Sequence, residues 1–133
     1  MRRLAYLSIL LLAFITACGS GTATAGDLET VPAGQILEIL DAPPPDLVVL
    51  DVRTPEEFAE GHLASAVNVD FYAADFADQL AGLDPDVPYV LYCRSGNRSG
   101  QTLDMMRDLG FSNVSELSGG VVSWVDAGYA LER

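Results

Sequence analysis

Short apolar runs alternate with helix-forming segments along this chain, and the alternation predicts its fold class. The runs at 47–52 and 89–92 are largely apolar, as in strands that are buried on both faces, and two further short strands are expected. The predicted strands lie at residues 47–52, 66–69, 89–92 and 114–117. Segments with helical apolar spacing or helix-opening residues lie between them, at 35–40, 55–60, 75–80 and 101–109. This order indicates an α/β fold with a central parallel sheet of about five strands and helices on both faces.

The boundaries of these elements carry start and stop residues. Thr54 and Glu57, with proline between them, form the pattern of a capping box that opens a helix. Three prolines at 43–45 end the helix before them, because proline cannot continue the helical hydrogen-bond ladder. Valine and proline at 31–32 precede the first helix, so its N-cap is expected to be weak or to shift to Thr30.

The first 26 residues have the composition of an export segment. Two arginines precede an apolar run at 4–17 that is shorter than the roughly 20 residues of a membrane-spanning helix and is typical of a signal peptide. The run ends in Ile-Thr-Ala-Cys, which resembles the lipobox of bacterial lipoproteins, so Cys18 is expected to carry lipid and anchor the protein in the cell envelope, on the periplasmic or extracytoplasmic side. An ordinary signal peptide with an incidental cysteine is the alternative. The expected organisation is a signal peptide, a flexible tether of small residues and one folded domain, at 1–17, 18–26 and 27–133.

Acidic residues dominate the charge of the chain. There are 19 aspartates and glutamates against 7 arginines and no lysine, for a net charge of −12. This balance argues against nucleic acids and anionic membrane surfaces as partners, because both require basic patches. Arg94 and Arg98 nevertheless lie close together, so a locally electropositive site that captures small anions is expected on an acidic body.

Cys93 ends the apolar run at 89–92 and opens a loop that leads into a helix. We call residues 93–99, Cys-Arg-Ser-Gly-Asn-Arg-Ser, the cysteine loop. Loop N–H groups, the helix dipole and the two arginines all favour the thiolate, so the pKa of Cys93 is expected to fall from about 8.5 toward neutrality. If Cys18 carries lipid, Cys93 has no disulfide partner in the chain. Reactivity then explains a free thiol better than an inert, buried packing role.

Two further features lie near the expected site. Asp51 and Arg53 end a strand at the carboxyl edge of the sheet, where active sites of parallel sheets form, and a supporting salt link is their expected role. His62 is the single histidine, and nothing in the sequence argues that it reaches Cys93. One histidine and one available cysteine cannot form a metal ligand set, so no metal site is expected.

Five sequence signatures occur in the order and at the spacing of one known family. They are residues 50–58, Gly-His-Leu at 61–63, Ala-Val-Asn at 66–68, the cysteine loop, and Leu-Ser-Gly-Gly at 117–120 with Trp124. Together they resemble a single rhodanese domain, over about residues 27–133. The resemblance implies a rhodanese fold and a sulfurtransferase, which moves sulfane sulfur from a donor such as thiosulfate to a thiophilic acceptor through a persulfide on Cys93.

The resemblance also implies roles for the remaining loop residues. Their backbone N–H groups would hold the persulfide, and the two arginines would bind the sulfonate end of the donor. The implied substrate-binding residues are Arg94, Ser95, Gly96, Asn97, Arg98 and Ser99. The implied partners are a small anionic sulfur donor and a thiol or cyanide acceptor, with no cofactor, and the protein is expected to be a monomer. Near the C-terminus, the glycine pair at 119–120 would let the last helix pack closely, and Trp124 would fill the core. His62 matches a position that the family uses for packing beside the sheet.

Two other functions stay open. Phosphatases related to rhodaneses have five residues between cysteine and arginine. Here Arg98 is the fifth residue after Cys93, so the loop from Cys93 to Arg98 is one residue shorter. The tighter loop suits a single sulfur atom better than phosphate or arsenate. Some rhodanese-like domains serve instead as regulatory binding modules, and a domain with the cysteine could act mainly as a persulfide carrier. The presence of Cys93 in a complete loop favours an enzyme.

Overall fold

The structure is a computed structural model that describes residues 27–133. The expected signal peptide, the tether and Cys18 lie outside the described residues. The strands are β1 (Leu28–Val31), β2 (Val48–Asp51), β3 (Ala66–Asn68), β4 (Tyr89–Tyr92) and β5 (Val114–Leu117). The helices are α1 (Ala33–Asp41), α2 (Pro55–Glu60), α3 (Phe76–Ala81), α4 (Asn97–Asp108) and α5 (Gly120–Asp126). Within this range, none of the helices is long and apolar enough to span a bilayer.

The five strands form one parallel sheet in the order β1-β5-β4-β2-β3. All strands therefore end at the same edge, and β4 lies at the centre between β2 and β5. Every residue of β4 and β5 is buried, which explains the continuous apolar run of β4, whereas β5 also buries Ser115 and Glu116. The predicted fold, a parallel α/β sheet of about five strands, is confirmed, and the central strand delivers Cys93 to the carboxyl edge.

Two apolar clusters cover the two faces of the sheet. Alternate residues of β4 serve both: Leu91 packs with Met106 on one face, and Val90 packs with Trp124 on the other. This alternation follows from the pleat of a strand, which points successive side chains to opposite faces. Trp124 is almost fully buried, with the core role expected for it, and its indole N–H donates to the carbonyl of Ala130. Each face therefore has its own helices and core, and the carboxyl edge stays free for a site.

The structure adds strand β1 to the predicted elements and shows where helices α4 and α1 begin. Strand β1 is missed by the sequence pattern because half of its four residues are exposed. Within residues 27–133 it is an edge strand that pairs with β5. Helix α4 begins at Asn97, four residues before the predicted start, because Gly96 adopts a left-handed conformation (φ 99°) that turns the loop directly into the helix. Helix α1 begins after Pro32, which makes no side-chain cap, so the expected weak N-cap is confirmed. Thr30 does not cap the helix, because it lies in β1 and pairs with Glu116 of β5.

Candidate active site

The cysteine loop begins at the end of β4 and closes around the sulfur of its first residue. Cys93 is 1% exposed. Its Sγ accepts hydrogen bonds from the backbone N–H of Gly96 at 3.1 Å and from the hydroxyl of Ser99 at 3.3 Å. The loop thus folds back so that donors from the first turn of α4 face the sulfur that precedes it.

The pKa of Cys93 is lowered from its ordinary value. Burial of the thiol opposes ionisation, but hydrogen bonds outweigh this effect: first the Ser99 side chain, then the backbone N–H groups of Ser99, Gly96 and Ser95. A thiolate is the nucleophilic form of cysteine, so the loop prepares Cys93 for attack on an electrophile. The direction agrees with the sequence-based expectation, and the effects that lower the pKa of Cys93 most are hydrogen bonds from donors of the loop.

Helix α5 fixes the direction of the first two loop peptides. The N–H groups of Val121 and Val122 donate to the carbonyl oxygens of Cys93 and Arg94 at 2.9 and 3.1 Å. In a trans peptide the N–H points opposite to the carbonyl, so the N–H groups of Arg94 and Ser95 are directed away from α5. The amide of Ser95 indeed contributes to the lowered pKa of Cys93.

Gly120, the first residue of α5, makes this contact sterically feasible. Its φ of +59° belongs to the left-handed region, and a Cβ there would lie within 2.5 Å of backbone atoms of Cys93 and Arg94. Real Cβ atoms do not approach backbone atoms so closely. The close packing expected of the glycine pair is therefore present, and it acts directly on the cysteine loop.

Arg98 is engaged by a carboxylate and is not a free cation beside the sulfur. Its two terminal nitrogens donate to the two carboxylate oxygens of Glu57 at 2.7 and 2.9 Å. The hydrogen bonds from Arg98 lower the pKa of Glu57 to about 2 against the opposing effect of burial. Glu57 also completes the capping box with Thr54, which confirms the predicted start of α2. One residue therefore caps α2 and holds the first turn of α4.

The other loop residues take different positions. Arg94 is exposed, and no side-chain partner is found for it among residues 27–133. It lines a surface cavity of about 330 Å³ together with Arg53, Glu57, Glu60, Val121 and Val122. Ser95 is exposed, and the side chain of Asn97 accepts a bond from Gln101 on the surface of α4. Arg94 is thus the arginine available to an anion from solvent.

The buried pair Asp51 and Arg53 forms the salt link expected from the sequence. The Arg53 guanidinium donates to the carboxylate of Asp51 at 2.7 Å and to the carbonyl of Gly61 at 2.6 Å. Burial lowers the pKa of Arg53, but the hydrogen bonds to Asp51 and its negative charge outweigh burial, so the pKa of Arg53 is raised. The pair ties the end of β2 to the loop after α2, beside the site.

His62 makes contacts that fix its ring on the outside of α2. The ring stacks on Phe58 with centroids 3.9 Å apart, and Nδ1 lies 3.0 Å from the carbonyl of Phe58. Its backbone forms a bridge with Glu132. These contacts give His62 the structural packing role that was expected, against α2 and the C-terminal segment. Across residues 27–133, no cluster of three His, Cys, Asp or Glu side chains is arranged to hold a metal ion.

Sequence reasoning misses two carboxylates of this site. One is Glu57, described above. The other is Glu116 on β5, which is 3% exposed and accepts a hydrogen bond from the hydroxyl of Ser99 at 2.5 Å. The only sequence signal for Glu116 is a charged residue inside a run that otherwise reads as a buried strand, and a buried carboxylate requires a partner.

Comparison with known proteins finds relatives with the same domain. A family model described as Rhodanese-like domain matches residues 32–127. The chain is 37% identical over 76 residues to the thiosulfate sulfurtransferase GlpE of Pseudomonas aeruginosa, an alignment that covers 57% of this chain and 67% of the relative.

A plant relative and a solved structure extend the comparison. The chain is 33% identical over 94 residues to the Protein HIGH ARSENIC CONTENT 1, mitochondrial, of Arabidopsis thaliana, which covers 63% of this chain and 56% of that protein. The chain therefore spans little more than half of the plant relative's length. A rhodanese-related protein from Thermoplasma volcanium superposes with a TM-score of 0.68 and 29% identity, over 78% of this chain and 97% of the other.

Proposed function

This chain belongs to the rhodanese-like domain family, and from that premise we propose that it is a thiosulfate sulfurtransferase that carries sulfur as a persulfide on Cys93. The observation that supports this most is the set of hydrogen-bond donors around Sγ: the hydroxyl of Ser99 and the N–H of Gly96, with further amides directed by α5. The Ser99 hydroxyl and the amides stabilise the thiolate, and the backbone amides go on to stabilise the negative sulfur of the persulfide.

The reaction proceeds by two displacements at sulfur. The Cys93 thiolate attacks the outer sulfur of thiosulfate, a new S–S bond forms, and the bond from that sulfur to the sulfonate group breaks. Sulfite leaves with the electron pair of the broken bond. An acceptor thiolate or cyanide then attacks the outer sulfur of the persulfide, and Cys93 leaves as the thiolate. The attacking groups are anions, so neither step requires a general base.

Arg94 is the better candidate for binding the sulfonate end of the donor. It is exposed beside the mouth of the loop, whereas both terminal nitrogens of Arg98 are bound by Glu57. An unpaired guanidinium can offer two parallel N–H donors to a sulfonate, and a paired one must first give up its carboxylate. Arg98 thus supports the site by holding α4 against α2.

Thiosulfate turnover is expected to exceed phosphatase and arsenate reductase activity by at least about 100-fold. The loop from Cys93 to Arg98 is one residue shorter than in the phosphatases, and Arg98 is paired with Glu57, so it is not available to bind a phosphoryl group. The measurement compares sulfur transfer from thiosulfate to cyanide with hydrolysis of an aryl phosphate and reduction of arsenate, at equal substrate concentrations. Hydrolysis or arsenate reduction that is faster than sulfur transfer would replace the sulfurtransferase assignment with that activity.

We further propose that the protein is anchored in the cell envelope through a lipid on Cys18, which follows the apolar run at 4–17. In bacterial cells, the full-length protein is expected in the membrane fraction, with an acyl mass on the peptide that contains Cys18. The Cys18→Ser variant is expected to leave the membrane fraction while keeping its sulfur transfer activity. A variant that stays in the membrane fraction, together with a wild type without acyl mass, would contradict the anchor.

A further inference from the structure

A buried carboxylate lies one hydroxyl group away from the reactive sulfur, and the sulfur-transfer steps above do not use it. Glu116 is the third residue of β5, 3% exposed, and is flanked in the sheet by Leu91 and Thr30. Its Oε1 lies 2.5 Å from Oγ of Ser99, and the same Oγ lies 3.3 Å from Sγ of Cys93. A carboxylate at this depth costs free energy, so its position between sheet and loop calls for a role.

Ser99 cannot serve both neighbours as a donor at once. A serine hydroxyl has one proton and two lone pairs, so it donates either to Sγ of Cys93 or to the carboxylate of Glu116. The 2.5 Å distance to Glu116 is shorter than the 3.3 Å distance to Sγ, so the carboxylate is the stronger competitor for this proton. Glu116 therefore weakens the hydrogen bond from Ser99 to the thiolate without abolishing it.

We propose that Glu116 is a positioning residue for sulfur transfer, whose carboxylate competes with the Cys93 sulfur for the single proton of Ser99 and so keeps the thiolate weakly held and strongly nucleophilic. This role rests on the proposed sulfurtransferase function. During the first displacement, negative charge leaves Sγ for the outer sulfur of the persulfide. Ser99 then donates fully to Glu116, which favours the persulfide over the free thiolate. No covalent bond of Ser99 or Glu116 changes.

The other charged groups near the sulfur are fixed or exposed. Arg98 faces Cys93 from α4 but is paired with Glu57 of α2, and Arg94 is exposed in the loop itself. On β2, Asp51 and Arg53 neutralise each other, and α5 offers only the exposed Asp126 at its C-terminal end. Glu116 is therefore the carboxylate whose replacement acts on the sulfur through one hydrogen bond.

Alkylation kinetics measure this competition without any sulfur substrate. The full-length protein is treated with iodoacetamide at a series of pH values, and modification of the peptide that contains Cys93 is followed by mass spectrometry. For Glu116→Gln, we expect the midpoint of the pH profile to fall by about one pH unit, because Ser99 is released to the thiolate. The rate at the high-pH plateau should fall about threefold, because the nucleophilicity of a thiolate falls with its basicity.

Three variants separate the competition from other effects. Glu29→Gln removes an exposed carboxylate from the neighbouring strand β1 and should leave the profile unchanged. Glu116→Asp keeps the charge but withdraws it from Ser99, and should shift the midpoint in the same direction by less. In a Ser99→Ala background, Glu116→Gln should shift the midpoint less than half as far as in the wild type, because the shared proton is gone.

Specific outcomes would overturn the proposal. A midpoint that is unchanged or raised in Glu116→Gln would show that the carboxylate does not withdraw the proton, and an equal shift with and without Ser99 would show a purely coulombic effect. In thiosulfate turnover at a pH on the high-pH plateau of both alkylation profiles, Glu116→Gln should lower kcat about threefold with little change in KM. Should the alkylation shifts appear in a protein that does not turn over thiosulfate, the competition stands and the sulfurtransferase assignment alone fails.

Discussion

Replacing Cys93 with serine is expected to abolish sulfur transfer, with a loss on the order of 10³-fold or more, while the fold is retained. Cys93 is the only cysteine among the described residues, and its sulfur is the atom on which the loop donors converge. A serine oxygen remains protonated at neutral pH and cannot form a persulfide. The substitution is nearly isosteric, so the apolar packing around the side chain should change little.

The measurement is the rate of thiocyanate formation from thiosulfate and cyanide, with circular dichroism and thermal unfolding to show that the variant is folded. Cys18→Ser serves as the matched control, since it removes the other cysteine of the chain and should retain full turnover. Turnover by the Cys93→Ser variant at more than a few per cent of the wild-type rate would contradict a covalent intermediate on Cys93.

Replacing Gly120 with alanine is expected to destabilise the protein and to displace the backbone of the cysteine loop, against which Gly120 packs. The new Cβ would meet backbone atoms of Cys93 and Arg94, and the residue would have to keep a φ of +59°. The left-handed conformation costs about 1–2 kcal/mol and the overpacking about 1–3 kcal/mol, so a total destabilisation of about 2–5 kcal/mol is expected. Displaced loop amides should lower sulfur transfer by roughly 10-fold to 100-fold.

Gly128 provides the matched control for this variant. It also has a positive φ (+87°), but a Cβ there would meet no atom within 4 Å. Gly128→Ala should therefore lose only the conformational part, about 1–2 kcal/mol, and retain turnover. Denaturant unfolding and turnover of both variants make the comparison. Equal loss of activity in the two variants would contradict the claim that the packing of α5 against the cysteine loop positions the loop amides.

The sheet and the position of Cys93 could be predicted from the sequence because both depend on residues that are close together in the chain. A continuous apolar run indicates a strand buried on both faces, and parallel strands end at one edge, so the pattern of residues is enough to put Cys93 at the carboxyl edge. The capping box at Thr54 and the salt link between Asp51 and Arg53 are equally local, since the partners lie three and two residues apart.

Features that depend on packing between distant elements could not be predicted in this way. Arg98 meets Glu57 across 41 residues, and Ser99 meets Glu116 across 17 residues, so their spacing carries no periodic signal. The sequence predicts two arginines free beside the sulfur, whereas the structure engages Arg98 and leaves Arg94 exposed. The electrostatics of the site thus come from hydrogen-bond donors and paired charges that only the packing of α2, α4 and β5 brings together.

The most direct measurement is the mass of the peptide that contains Cys93 after the full-length protein has been incubated with thiosulfate and freed of excess donor. A persulfide mechanism predicts a gain of one sulfur atom per chain on Cys93, release of an equal amount of sulfite, and loss of the added mass when cyanide is supplied. An unchanged Cys93 peptide in folded protein, with no sulfite released, would contradict sulfur transfer through this residue.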